Sequence, residues 1–200
     1  MHNYSTDSNE REKILYALAV LAVVAAWLLS RALLAAHLAV PWWFDAPSTM
    51  GFYGLFFKVF DNYVWVASVL HRTRIVKVPV ITGEWRGYVT SSFDDQKRSR
   101  RVSVEIRQTW TRLTVLLSSE LSHSFTLTAA IQVHAPEGIV LSYQYQNEPK
   151  PGAVQTMGMH IGSARLVLED ERCLTGYYYS GRGRQEYGQL FLQKAPPGTV

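Results

Sequence analysis

The residues of this 200-residue chain best suited to chemistry are aromatic and cationic, and their spacing favours binding over catalysis. Tyr143 and Tyr145 alternate on one strand face, where they can stack on flat rings. They lead into Asn147-Glu148-Pro149-Lys150-Pro151-Gly152, read as an irregular connection that ends at Met159-His160-Ile161-Gly162. Tyr177, Tyr178 and Tyr179 are followed at once by Arg182 and Arg184. Stacking area then lies beside guanidinium groups able to hold phosphate in a forked geometry. The competing reading of the same tyrosines is packed core plus interfacial aromatic residues near a membrane.

Catalytic patterns are missing. The sequence has no nucleophile elbow, carboxylate pair, metal-ligand spacing or phosphate loop. His123, His134 and His160 are scattered, without a Cys or second His at ligand spacing, so no metal is expected. Ser118, Ser119, Ser122 and Ser124 lie in and beside a hairpin, where serine is expected for turn reasons. Gly181-Arg182-Gly183-Arg184 lacks the Lys-Ser or Lys-Thr ending of a P-loop. Cys173 is the single cysteine, which excludes an intramolecular disulfide and fits a reducing compartment. No enzyme class and no cofactor is indicated.

These side chains need a scaffold, and from Glu84 onward it alternates. Val102, Val104, Ile106, Gln108 and Trp110 share one parity, while Arg101, Ser103, Glu105, Arg107 and Thr109 take the other. Similar runs recur near residues 84–92, 112–118, 122–134, 138–146, 161–169, 173–180 and 188–193, about eight short strands with turn signals between them. The expected fold is all-β, a small eight-stranded up-and-down, lipocalin-like barrel that leaves no exposed edge. A two-sheet sandwich is the alternative. Gly83-Glu84-Trp85 is similar to the G-x-W opening of lipocalin-type barrels, whose Trp plugs one end. A barrel of this size is just wide enough for one small ligand, which suggests a receptor or carrier.

The scaffold is tethered. A mean hydropathy of −0.04 conceals an apolar first third. Two long segments fill Ile14 to Leu70, separated by the link Pro41 to Ser48. The first is mostly Ala, Leu and Val, and is long enough to cross a bilayer. The second carries Lys58, Asp61 and Asn62 near its middle, where ionisable groups are costly. Gly51, Gly54, Lys58, Asp61, Trp65 and Ser68 fall on one helical face, with Lys58 and Asp61 spaced to neutralise each other and the glycines spaced for close approach. Phe52, Leu55, Phe56, Val59, Phe60 and Val66 then form the lipid side. Arg11 and Lys13 precede the first span, the link has no Lys or Arg, and Arg72, Arg74 and Lys77 follow the second, so both termini and the barrel are expected in the cytoplasm. Trp42, Trp43 and Phe44 would form the aromatic belt of a short outer turn. The expected organisation is a cytoplasmic tail at residues 1–13, two transmembrane helices within 14–74 and a barrel at 75–200. Past Leu70 sixteen Lys and Arg face eleven Asp and Glu, a mild excess that tolerates an anionic partner without establishing one.

Five blocks in order, GEWRGYVTSSFD, IRQTW, LSYQYQNEPKP, MHIGSARL and LTGYYYSGRGRQEYG, resemble the SMODS-associating two-transmembrane, β-strand-rich effectors of bacterial CBASS antiphage operons. The resemblance covers essentially the whole chain. It implies a receptor for a cyclic dinucleotide made by a partner CD-NTase, with binding that promotes self-association, disruption of the inner membrane and death of the infected cell. It implies no DNA or RNA polymer as partner. By motif position, the resemblance makes Trp110, Tyr143, Tyr145, Asn147, His160, Tyr178, Arg182 and Arg184 the ligand candidates. The alternative is a membrane-tethered, lipocalin-like carrier of an apolar molecule.

Overall fold

The computed structural model describes residues 1–38, 41, 45–92, 98–154, 158–181 and 185–196. Two compact units emerge, one of Met1–Ser8 with Val78–Val200 and the other Asn9–Lys77. Met1–Ser8, expected in a tail, are thus part of the β unit.

Eight antiparallel strands make that unit: β3 Gly83–Val89, β4 Arg100–Gln108, β5 Arg112–Ser118, β6 Ser122–Ala135, β7 Gly138–Pro149, β8 His160–Asp170, β9 Cys173–Ser180 and β10 Tyr187–Lys194. Each pairs with the next, and β10 returns to pair with β3, closing an up-and-down barrel as the alternation predicts. On β4, Val102, Val104 and Ile106 are buried inside, while Glu105 and Arg107 form an exposed ion pair on the outer face (2.7 Å). Two short strands precede the barrel, β1 His2–Asn3 on β5 and β2 Ser5–Thr6 parallel to β6.

One end of the barrel is sealed. Trp85 is fully buried and its indole N–H donates to the Ile81 carbonyl at 2.9 Å. Lys194 lies over the Trp85 ring at 5.6 Å, and burial pulls its pKa below the ordinary lysine value, with Glu171 opposing. Gln108 completes the seal, donating to the Pro79 carbonyl and accepting from the Ile81 N–H. Gly83 holds φ +125°, a left-handed conformation that favours glycine, so the G-x-W opening has a backbone reason as well as a packing one.

In the other unit, α1 Glu10–Ala35 buries Ile14, Leu18, Ala22 and Ala26, a stripe at steps of four, and packs against α2 Asp45–Asn62. His37, with φ 57°, sits just past the end of α1 while its N–H donates to the Leu34 carbonyl. Tyr16, Val20, Leu21, Val24, Trp27 and Leu28 stay exposed, the surface a lipid-facing helix presents. Among the described residues α1 is the one helix long and apolar enough to cross a membrane.

The second apolar segment is not one helix to Leu70. α2 starts earlier, at Asp45, and ends at Asn62, whose side-chain amide turns back to the Lys58 carbonyl (2.7 Å). A 3-10 turn Val64–Val66 and a short helix α3 Ser68–Arg72 follow. The expected stripe is also divided. Gly51, Gly54 and Lys58 are exposed, and a Cβ at either glycine would meet nothing within 4 Å, while Asp61 and Trp65 are buried. Close approach falls instead to Ala22 and Ala26 of α1. Phe60, expected on the lipid side, is buried, whereas Leu55, Val59 and Val66 are exposed. Arg31 stacks on Trp27 of its own helix at 5.5 Å. Trp42, Trp43 and Phe44 lie outside the described residues.

Candidate functional site

The interior of the barrel changes character along its axis. Near the sealed end it is apolar, with Ile106, Leu113, Val115, Ile131, Leu166, Leu174 and Leu192 buried. Toward the opposite end the inward positions become Tyr143, Tyr145, Asn147, Ser122, Ser124 and Thr126, all between 6% and 8% exposed. A buried polar lining of this kind is costly unless it meets hydrogen-bond partners, and here it does: the Thr126 hydroxyl with the Val115 N–H and His2, and the Ser122 hydroxyl with that of Ser119.

Strand register fixes how these side chains meet. Tyr143 pairs across the sheet with Ala129 and Ala164, and Ala164 with Tyr178, giving one cross-sheet row. One step farther from the sealed end, Tyr145 pairs with Thr126 and with Gly162. The next row outward is Ser124, Asn147 and His160 on β6, β7 and β8, with Ser122 paired to Pro149 beyond it. The Tyr143 and Tyr145 rings lie 6.2 Å apart at 57°. Burial, with Tyr145 adding, pushes the Tyr143 phenol above its ordinary value, so it stays a neutral donor. Tyr178 donates to the Thr90 carbonyl at 3.1 Å.

Two glycines make room for these rings. A Cβ on Gly162 would overlap the Tyr145 phenol, and one on Gly188 would overlap the Tyr178 ring and the Thr90 carbonyl. Absence of a side chain there lets each aromatic ring lie against backbone.

The polar lining has a local cause in β6. Ser122, Ser124 and Thr126 point inward while Leu127 is 37% exposed, an inversion of the usual apolar-inside rule. The register then shifts between Thr126 and Thr128, a bulge that restores normal parity with Ala129 and Ile131 inside. Ser122 and Ser124, read from sequence as turn serines, are therefore lining residues. The only sequence signal was their strict alternation with His123 and Phe125, and the apolar-inside rule points that signal the wrong way.

Of the eight candidates, Tyr143, Tyr145, Asn147, His160 and Tyr178 come together here. Asn147 belongs to strand β7 rather than to a connection, because the inward alternation of Tyr143 and Tyr145 continues through it. His160, the first residue of β8, is half-buried, and its Nδ1 is 3.0 Å from the Gly158 carbonyl. Trp110 lies at the sealed end, fully buried, its carbonyl accepting from the Tyr4 hydroxyl at 2.7 Å. Arg182 and Arg184 lie outside the described residues. Among the described residues no group of His, Cys, Asp and Glu could hold a metal ion. Cys173 is half-buried, and burial together with Glu169 and Asp170 pushes its thiol up, away from the reactive thiolate.

With the geometry in hand, known proteins place it. Residues 76–194 match the family described as Cap15, cyclic dinucleotide receptor domain, and residues 12–66 match Cap15, TM helices. CD-NTase-associated protein 15 of Yersinia aleksiciae is 29% identical over 154 residues, covering 76% of this chain and 71% of that protein. A sealed barrel with an aromatic and amide-lined interior, fused to an apolar helical unit, thus has both halves of a single family, and the chain belongs to the Cap15 family of cyclic dinucleotide receptors with transmembrane helices.

Proposed function

We propose that this chain is the membrane effector of a CBASS antiphage system, a non-enzymatic receptor for a cyclic dinucleotide made by a partner CD-NTase. The observation that carries the reading is the Tyr143, Tyr145 and Tyr178 aromatic set next to the Ser124, Asn147 and His160 row inside one half of the barrel. Aromatic faces take bases by stacking, and the amide and hydroxyls read base edges or phosphodiester oxygens. Arg182 and Arg184, in sequence between β9 and β10, are the proposed counter-charges for phosphate. Binding favours self-association, and the helical unit, a two-span cytoplasm-facing anchor in the inner membrane, then disrupts the bilayer and kills the infected cell. The family model matching the barrel is described as a cyclic dinucleotide receptor domain, which favours the receptor reading over that of an apolar carrier.

The test is calorimetry of the full-length chain in detergent against a panel of cyclic dinucleotides. Binding of at least one is expected, weakened about tenfold or more by Asn147→Ala or Tyr145→Ala. Failure of every dinucleotide to bind overturns the proposal. Co-purified lipid in the barrel, seen by native mass spectrometry, would return the carrier reading.

A further inference from the structure

We propose that the N-terminal strands act as a movable strap, through which the state of the barrel interior reaches α1. This rests on the dinucleotide reading above. The barrel closes unevenly: β5 and β6 pair only at Leu116 with Phe125, Leu117 with Ser124 and Ser118 with His123, whereas β7 and β8 pair continuously from Ile139 to Asn147. Beyond that short ladder β5 and β6 are no longer paired with each other. β1 takes up the β5 edge at Leu113 and Arg112, and β2 takes up β6 at Ala130 and Ile131 in the one parallel pairing among the described residues. The N-terminus therefore completes the weakest seam of the wall.

Its anchors are spread along the segment. Tyr4, 2% exposed, donates its hydroxyl to the Trp110 carbonyl and its backbone N–H to the Thr111 carbonyl (3.2 Å). The Asp7 carboxylate accepts from the backbone N–H groups of Val133 (2.8 Å) and His134 (3.0 Å). His2 Nε2 lies 3.0 Å from the Thr126 hydroxyl. That hydroxyl also accepts from the Val115 N–H at 3.1 Å, and Thr126 is the residue paired with Tyr145 at the bulge. One side chain thereby joins the strap, β5 and the aromatic site. A segment held by two-residue ladders, these polar bonds and the packing of one core side chain, Tyr4, opens at lower cost than the whole barrel unfolds. Only Ser8 and Asn9 separate Asp7 from the first residue of α1, a span of roughly 10 Å between their Cα atoms at full extension, so displacement of the strap has little slack before it pulls on the helix.

The test uses the full-length chain in vesicles with Cys173→Ser, Asn3→Cys and Arg112→Cys, the last two being register partners at disulfide distance across an antiparallel pair. When reduced, the protein binds dinucleotide and releases entrapped dye. Oxidation, which pins β1 to β5, is expected to leave affinity within about twofold and to cut dye release about tenfold or more, with reductant restoring it. Release undiminished by the disulfide overturns the strap, and so does a disulfide that abolishes binding, which would make the seam an entry gate instead. Absence of binding in the reduced protein counts against the dinucleotide reading alone. The strap is then judged without ligand: Asp7→Asn should raise amide exchange at Val133 and His134 about tenfold while Val104 and Ile106 keep their protection. Unchanged exchange, or simultaneous loss of protection across the barrel, overturns it.

Discussion

Asp7 shows how much one carboxylate can organise. Burial pushes its carboxyl up, but the backbone N–H groups of Val133, His134 and Asp7 itself, with the charge of His134, more than reverse that and leave it below the ordinary 3.8. A lowered folded-state pKa contributes stability that is fully present above the ordinary value and is lost as pH falls through the lowered one. Strap contacts should therefore be insensitive to pH from 7 to about 5 and weaken below about pH 4, read as movement of the His134 amide resonance. Asp7→Asn should flatten that titration. At Gly162 the expectation is steric. Gly162→Val places a branched side chain where the Tyr145 phenol lies, and should cost about 1–3 kcal/mol in denaturant unfolding while displacing Tyr145 and weakening ligand binding. Neither role is visible in the residue itself. Asp7 reads as one more charge in a polar leader, and Gly162 as an ordinary position where an irregular connection passes into a strand.

At the scale of elements, alternation in the sequence is enough to mark all eight strands, with ends within a few residues of those observed. It fails where a strand's faces are exchanged. β6 carries the bulge that lets serines line one half of the barrel and alanine and isoleucine the other, and periodicity cannot register a bulge before pairing partners are known. Trp85 and Trp110, the tryptophans buried in the barrel unit, belong to the same end and should behave alike. Trp85→Ala and Trp110→Ala each leave a large core void and should destabilise by about 3–5 kcal/mol, seen as a lowered unfolding midpoint. Dinucleotide affinity per folded molecule should change little for Trp110→Ala. A large, selective loss of affinity there would return Trp110 to the ligand set. In α1, packing depends on small side chains, so Ala22→Leu should separate α1 from α2 and lower thermal stability in detergent, an overpacking cost of about 1–3 kcal/mol.

Considered whole, the chain joins a cyclic dinucleotide receptor domain to an apolar helical unit. Full-length protein should stay in the membrane pellet through high salt and alkaline wash. Lys substitutions at exposed Val24 and Leu28 should release part of it, because each places a charge where α1 would meet hydrocarbon. Composition and spacing by themselves determined the division into apolar and strand-rich parts, the closed barrel, the shared strand face of Tyr143 and Tyr145, and the family resemblance. These are local or periodic properties, written in the order of residues. Tertiary structure alone decided that residues 1–8 belong to the barrel, that Trp110 seals the end away from the tyrosines, that Asn147 and the β6 serines point inward, and that Gly51 and Gly54 face open space. Each depends on which strand or helix lies beside which, and pairing between residues more than a hundred positions apart leaves no period in a sequence.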